Sequence, residues 1–164
     1  MVFAKTSKSA SRLSESIRTK DFNKTYLAVV YDNDNLLDKE GTFEDYMIKN
    51  EALNKSTTCS KDKRGAKFAK LSYKVLDSFY ENEKALKLVM INLETGRHHQ
   101  IRVQFAVRGF PLYGDQKYGI GPKEKQIALW AYKLSFKHPT KDEIMEFECL
   151  PDKVGVWENF SSFN

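Results

Sequence analysis

The sequence predicts one α+β domain built on a mixed, mainly antiparallel sheet with a few flanking helices. Three observations predict it. Residues 67–79 and 85–93 each alternate polar and apolar side chains and are separated by a few polar residues, the pattern of a half-buried hairpin. A later pair, IALWAYKLSF and IMEFECL, repeats strand composition on either side of KHPTKDE, whose proline and charged residues suit a turn. Two segments, one near the N-terminus and one starting at residue 98, carry apolar residues at helical spacing instead. The length of 164 residues suits a single unit spanning 1–164.

Taken in order, residues 2–5 form a short apolar run expected as a strand. Thr6 and Ser7 can then cap a helix bearing Ala10, Leu13 and Ile17. KTYLAVVY, from Lys24, is β-branched and aromatic and reads as a strand, and DNDNLLDKEG after it reads as turns. Residues 50–65, rich in lysine, serine and threonine and without periodicity, are expected to be a mobile surface loop. Residues 98–108 place Ile101, Phe105 and Ala106 at helical offsets, with Gly109 as the stop and Pro111 beyond it.

Composition narrows the functional classes. Apolar residues make up 41% and charged residues 30%, as in an ordinary globular protein and unlike a disordered chain. The formal net charge of +5 makes a polyanionic partner plausible, since lysine and arginine release counterions when they meet phosphates. Cys59 and Cys149 are far apart and outside any CxxC arrangement, so neither a disulfide framework nor a zinc site is suggested, and a reducing cytoplasm is expected. No apolar run approaches the roughly 20 residues of a membrane span, so no membrane partner is expected.

The densest chemistry lies in TGRHHQIR, residues 95–102, at a strand-to-helix junction. On a helix His98 and Arg102 share one face, and a guanidinium held there presents a permanent charge to a carboxylate or phosphate. Adjacent helical histidines diverge by about 100°, and no cysteine or carboxylate stands at ligand spacing, so no metal is expected.

This stretch, continued by VQFAVRGFPLYGDQKYG, resembles the signature of the RluA family of pseudouridine synthases, in which TGRxHQIR leads through a helix to G-x-P-[IL]-x-GD-x-x-YG. VFAKTSKSASRLSESI, KTYLAVV and IALWAYKLSFKHP with Leu150-Pro151 resemble the same family in the same order, so the likeness covers essentially the whole chain. It implies the pseudouridine synthase catalytic-domain fold, isomerisation of uridine in ribosomal or transfer RNA, and no cofactor. By the same resemblance Tyr26 stacks on the flipped base and handles the C5 proton, and Arg102 pairs with the nucleophilic aspartate. Arg97 and His98 arrange the junction and the RNA backbone, and Leu129 packs near the base. Gln104 stands where many members have a second histidine and Trp130 where many have histidine, which implies altered packing or RNA contacts.

The family's nucleophile lies in a segment of the form HRLDxxTSGL directly before the strand that here begins MVFAKT, and the 164 residues contain no such segment. The catalytic domain is therefore expected to be N-terminally truncated. Asp115 falls in the loop after the helix, and Asp21 and Asp32 read as turn acids, so no internal aspartate takes the role by position. The expectations are an Arg102 without its carboxylate, an exposed sheet edge near residues 2–5 that favours self-association, and no synthase activity. The alternative is a non-catalytic RNA-binding module of the same fold. In either case Tyr26 and Arg102 are expected to face one pocket.

Overall fold

The computed structural model describes residues 2–19, 21–81, 84–119 and 126–161. One seven-stranded sheet dominates, in the order β3-β2-β4-β5-β1-β6-β7. Its strands are β1 (Phe22–Tyr31), β2 (Glu40–Asn50), β3 (Lys55–Cys59), β4 (Lys67–Glu81), β5 (Lys84–Leu93), β6 (Leu129–Lys137) and β7 (Ile144–Glu148). Each ladder between these strands is antiparallel. Helix α1 (Ser7–Arg18) precedes β1, α2 (Gln100–Ala106) follows β5, and a 3-10 turn, Gly155–Asn159, lies near the end.

The two-residue period of β1 sorts its side chains onto the two faces of the sheet. Ala28 and Val30 join Leu71, Tyr73, Val89 and Ile91 on one face, where Ile101 and Phe105 of α2 close over them. Leu27, Val29 and Tyr31 turn to the other face and pack with Leu86, Leu88, Val156 and Phe160. The sheet is thus covered on both sides, and α2 is the element that carries the TGRHHQIR junction onto it.

The expected hairpin of β4 and β5 and the expected β6–β7 pair are present in register; residues 82 and 83, between β4 and β5, lie outside the described residues. Thr6 caps α1 as anticipated, accepting from the Ser9 amide at 3.2 Å. Gly109 ends α2 at φ +86°, the left-handed turn that favours glycine.

Two local expectations fail. Residues 2–4 form no strand, so the sheet edges are β3 and β7 and not the N-terminal segment. Helix α1 stands where expected but buries none of its residues, and Ile17 remains half exposed. Most consequentially, residues 50–65 are not a free loop. They contain β3 and its turn from β2, in which Thr57 and Thr58 stand opposite Ile48 and Met47. The polar run KSTTC hides the strand pattern, whereas its two β-branched threonines and their cross-strand partners set it. The turn acid Asp32 is also more than a turn residue. It is 2% exposed, ion-paired to Lys87 at 2.5 Å, and accepts from the amides of Leu36 and Leu37.

Candidate functional site

The junction after β5 is held by a small polar lock. The Gln100 side chain is 3% exposed; its Oε1 accepts from the Thr95 hydroxyl at 2.8 Å and the Arg97 amide at 3.0 Å, and its Nε2 donates to the Lys70 carbonyl at 3.1 Å. Thr95 Oγ1 also accepts from the Lys70 amide at 2.7 Å, which pins the turn to β4. Arg97 Nε donates to the Phe68 carbonyl at 2.7 Å. Because the chain reverses here, His99 adopts φ 54° as the residue before α2, and the helix starts at Gln100 instead of residue 98. His98 therefore does not share a helical face with Arg102. It leans on β3, with Nδ1 and Ser56 Oγ hydrogen-bonded at 2.9 Å.

His99, the histidine that fills the fixed position of TGRxHQIR, occupies the more constrained site. Its Nδ1 lies 2.9 Å from the Tyr118 hydroxyl. That hydroxyl accepts from the Ser56 amide at 2.8 Å, which leaves its proton for His99. Burial, then the nearby Arg102 charge, push the His99 imidazole down to about 4, so it is neutral at physiological pH. Burial and the Lys49 charge also lower His98. Local sequence pointed to the less constrained histidine of the two, whereas Tyr118, the tyrosine of GD-x-x-YG, was given no role there.

Arg102 is not left without a carboxylate. Its Nε and Nη2 donate to the two oxygens of Asp115 at 2.8 and 2.6 Å, a bidentate pair in which Asp115 is fully buried. Asp115 Oδ1 also accepts from the amides of Lys117 and Tyr118 at 2.9 and 3.0 Å. Burial acts to raise this carboxyl, but the Arg102 hydrogen bond and the two amides outweigh it and hold it below the usual range. The guanidinium lies 5.1 Å from the Tyr118 ring centroid, and its Nη1 makes no hydrogen bond to any described residue. The signal for this pair was present in the sequence, since GD-x-x-YG follows TGRxHQIR in the resembled signature.

Tyr26 lies elsewhere on the α2 face of the sheet. It is half-buried against the core formed with Ile101 and lines a cleft of about 450 Å³ with Phe22, Lys24, Tyr132 and Lys133. Burial raises its phenol. Leu129 packs against the same core, and Arg97 and His98 line a separate crevice beside Lys49 and Lys67. The cleft at Tyr26 does not include Arg102 among its lining residues. Gln104 and Trp130 have structural tasks: Gln104 Nε2 donates to Asp45 at 2.7 Å, and Trp130 Nε1 to the Cys149 carbonyl at 2.7 Å. Among the described residues, no group of three His, Cys, Asp or Glu side chains could hold a metal, and no helix is long and apolar enough to cross a membrane.

The family model described as RNA pseudouridylate synthase matches residues 1–107. The chain belongs to this family. It is 34% identical over 150 residues to the uncharacterized RNA pseudouridine synthase YhcT of Bacillus subtilis, covering 91% of this chain and 47% of that protein. It is 33% identical over 168 residues to ribosomal large subunit pseudouridine synthase D of Haemophilus influenzae, covering 93% of this chain and 49% of that protein. The solved structure of human RNA pseudouridylate synthase domain containing 1 superposes with a TM-score of 0.72 at 25% identity, covering 92% of this chain and 62% of that one. This family member thus spans about half the length of the curated relatives it matches. Its fold is the α+β, antiparallel-sheet architecture of that family.

Proposed function

We propose that this chain supplies the substrate-gripping part of a uridine-isomerising RNA modification domain acting on ribosomal or transfer RNA in the cytoplasm. The carrying observation is Tyr26, half-buried in a cleft of about 450 Å³, roomy enough for a nucleotide, that Lys24 and Lys133 also line. There a phenol can stack on an extruded uracil while Lys24, and Lys133 released from its pair with Glu146 at 3.3 Å, meet the flanking phosphates. In this reading Arg102 is aimed by Asp115 and offers its open Nη1 to the nucleophilic carboxylate.

Asp115 cannot itself be that nucleophile. Oδ1 accepts three hydrogen bonds and Oδ2 the one from Arg102 Nε, and the side chain is fully buried, so the carboxylate cannot approach a sugar carbon. The 164-residue chain alone therefore binds RNA without turnover. The second reading is a non-catalytic RNA-binding module of the same fold, favoured by the open Nη1 of Arg102, which can meet a phosphate as well as a carboxylate. In both, self-association would run through the open edge of β7, where Ile144 and Phe147 are at least half exposed.

RNA carrying 5-tritiated uridine tests this. No tritium release is expected from the isolated chain, and release above background refutes the inactivity. Binding to a labelled RNA stem-loop is expected to weaken about ten-fold in Tyr26→Ala and to stay within about two-fold in Tyr26→Phe, as removal of one base stack predicts. Equal binding by Tyr26→Ala and the parent removes Tyr26 from the site.

A further inference from the structure

The segment from Lys49 to Lys67 has more order than a solvated connection requires. The β2–β3 hairpin is tied down at three points: Ser56 Oγ to His98 of the junction, and the Ser56 amide and the Asn54 carbonyl to the Tyr118 hydroxyl and, at 2.9 Å, to Lys117 Nζ in the loop after α2. Ser56 is 6% exposed. These bonds fix the hairpin against the TGRHHQIR turn and the loop after α2, whereas its lysines are exposed.

The charges are distributed in a consistent way. Lys61, Lys63 and Arg64 crowd the turn between β3 and β4, all exposed, against the single acid Asp62. At its base, the crevice of about 460 Å³ between β2 and the junction is lined by Lys49, Lys67 and Arg97, with Glu51 as its one carboxylate. Glu51 pairs with Lys49 at 2.5 Å. Lys61, Lys63, Arg64, Lys67 and Arg97 form no ion pair with any described residue. Unpaired cations held on a rigid ribbon match a polyanion whose charges repeat along a backbone. A second copy of the chain added as a strand fits less well, because the Tyr118 hydroxyl already occupies the Ser56 amide on the open edge of β3.

We propose that the β2–β3–β4 ribbon is a second RNA-binding surface, distinct from the Tyr26 cleft. It holds the sugar–phosphate backbone of RNA flanking the target, with Lys61, Lys63 and Arg64 at the tip and Lys67 and Arg97 in the crevice. The inference rests on the RNA reading above. Recognition here is electrostatic and independent of base identity, so its signature is salt dependence.

The test compares the parent, K61Q/K63Q/R64Q, and the equally neutralised K39Q/K74Q/K141Q in fluorescence anisotropy with a labelled RNA stem-loop over a salt series. The ribbon variant is expected to bind at least about ten-fold more weakly. Its slope of log K against log salt should flatten by about two to three, at roughly 0.7–0.9 for each phosphate the variant no longer neutralises. The control variant is expected to stay within about two-fold. Equal weakening of both variants overturns the proposal, because net charge alone would then explain it. A parent that binds with an unaltered ribbon variant also overturns it, leaving the function standing. A parent that fails to bind RNA at low salt overturns both.

Discussion

Replacing Asp115 by Asn tests whether Arg102 is held by a buried ion pair or rests against a polar neighbour. The parent pair is bidentate, with Asp115 wholly buried and the arginine side chain 19% exposed. Asparagine keeps one carbonyl oxygen for the amides of Lys117 and Tyr118 and for Nη2. Its NH2 group then faces Arg102 Nε where an acceptor stood at 2.8 Å, donor against donor. The variant also leaves a buried guanidinium without its counter-charge. Breaking one side of such a pair costs about 3–5 kcal/mol, and the retained hydrogen bonds put this case near the lower end, at about 3 kcal/mol. For a domain of this size that is a fall in Tm of about 6–12 °C, and a large part of an ordinary folding stability of about 5–15 kcal/mol.

The measurement is urea unfolding followed by circular dichroism at several pH values, with Arg102→Met and the double variant completing a cycle. The pH dependence fixes the cause. Asp115 titrates in the folded protein below its unfolded value, near 3.9. The contribution of the pair is therefore complete above that pH and is lost as pH falls through the folded pKa. The gap between parent and D115N should thus be full at pH 7 and shrink on the acid side of about pH 4, and the cycle should give a coupling of about 2 kcal/mol or more. A loss below about 1 kcal/mol at pH 7, or a gap that persists unchanged to pH 3, refutes the reasoning.

Two further outcomes follow from the same geometry. Lys87→Met strands Asp32, whose side chain is 1% exposed, and should lower the unfolding free energy by about 3–5 kcal/mol in urea, with Asp32→Asn added to it recovering part of the loss. By NMR titration the His99 ring should remain neutral through pH 6 and protonate with a midpoint near 4. Because that value lies below the unfolded one near 6.5, its contribution to stability is whole above about 6.5 and declines as pH falls toward 4. Tyr118→Phe removes the hydroxyl that donates to Nδ1 and should raise the midpoint; an unshifted titration would refute the assignment.

The sheet was legible where strand composition is strong: β4 alternates buried and exposed residues, and β5, buried on both faces through its middle, is a near-continuous apolar run. It was illegible at β3, where the strand lies on an edge and its outward positions carry lysine and threonine; there the fold is set by Ser56 meeting residues 42 and 62 positions away. Residues 2–5 misled in the opposite sense: a short apolar run has no strand to pair with unless the rest of the sheet supplies one. At the site, the arginine of QIR could be singled out from local sequence, but its partner could not be derived from helical spacing. Thirteen positions separate Arg102 from Asp115, and only the turn after α2 brings them together.

That turn changes what Arg102 can contribute. An arginine without a partner would be free to rotate and would lose conformational entropy on meeting a carboxylate. Here Asp115 uses Nε and Nη2, Tyr118 flanks the guanidinium plane, and the remaining Nη1 points from a fixed frame. A second carboxylate approaching Nη1 finds a donor already oriented, although one whose charge is partly neutralised. The arrangement therefore favours geometric definition over maximal electrostatic pull.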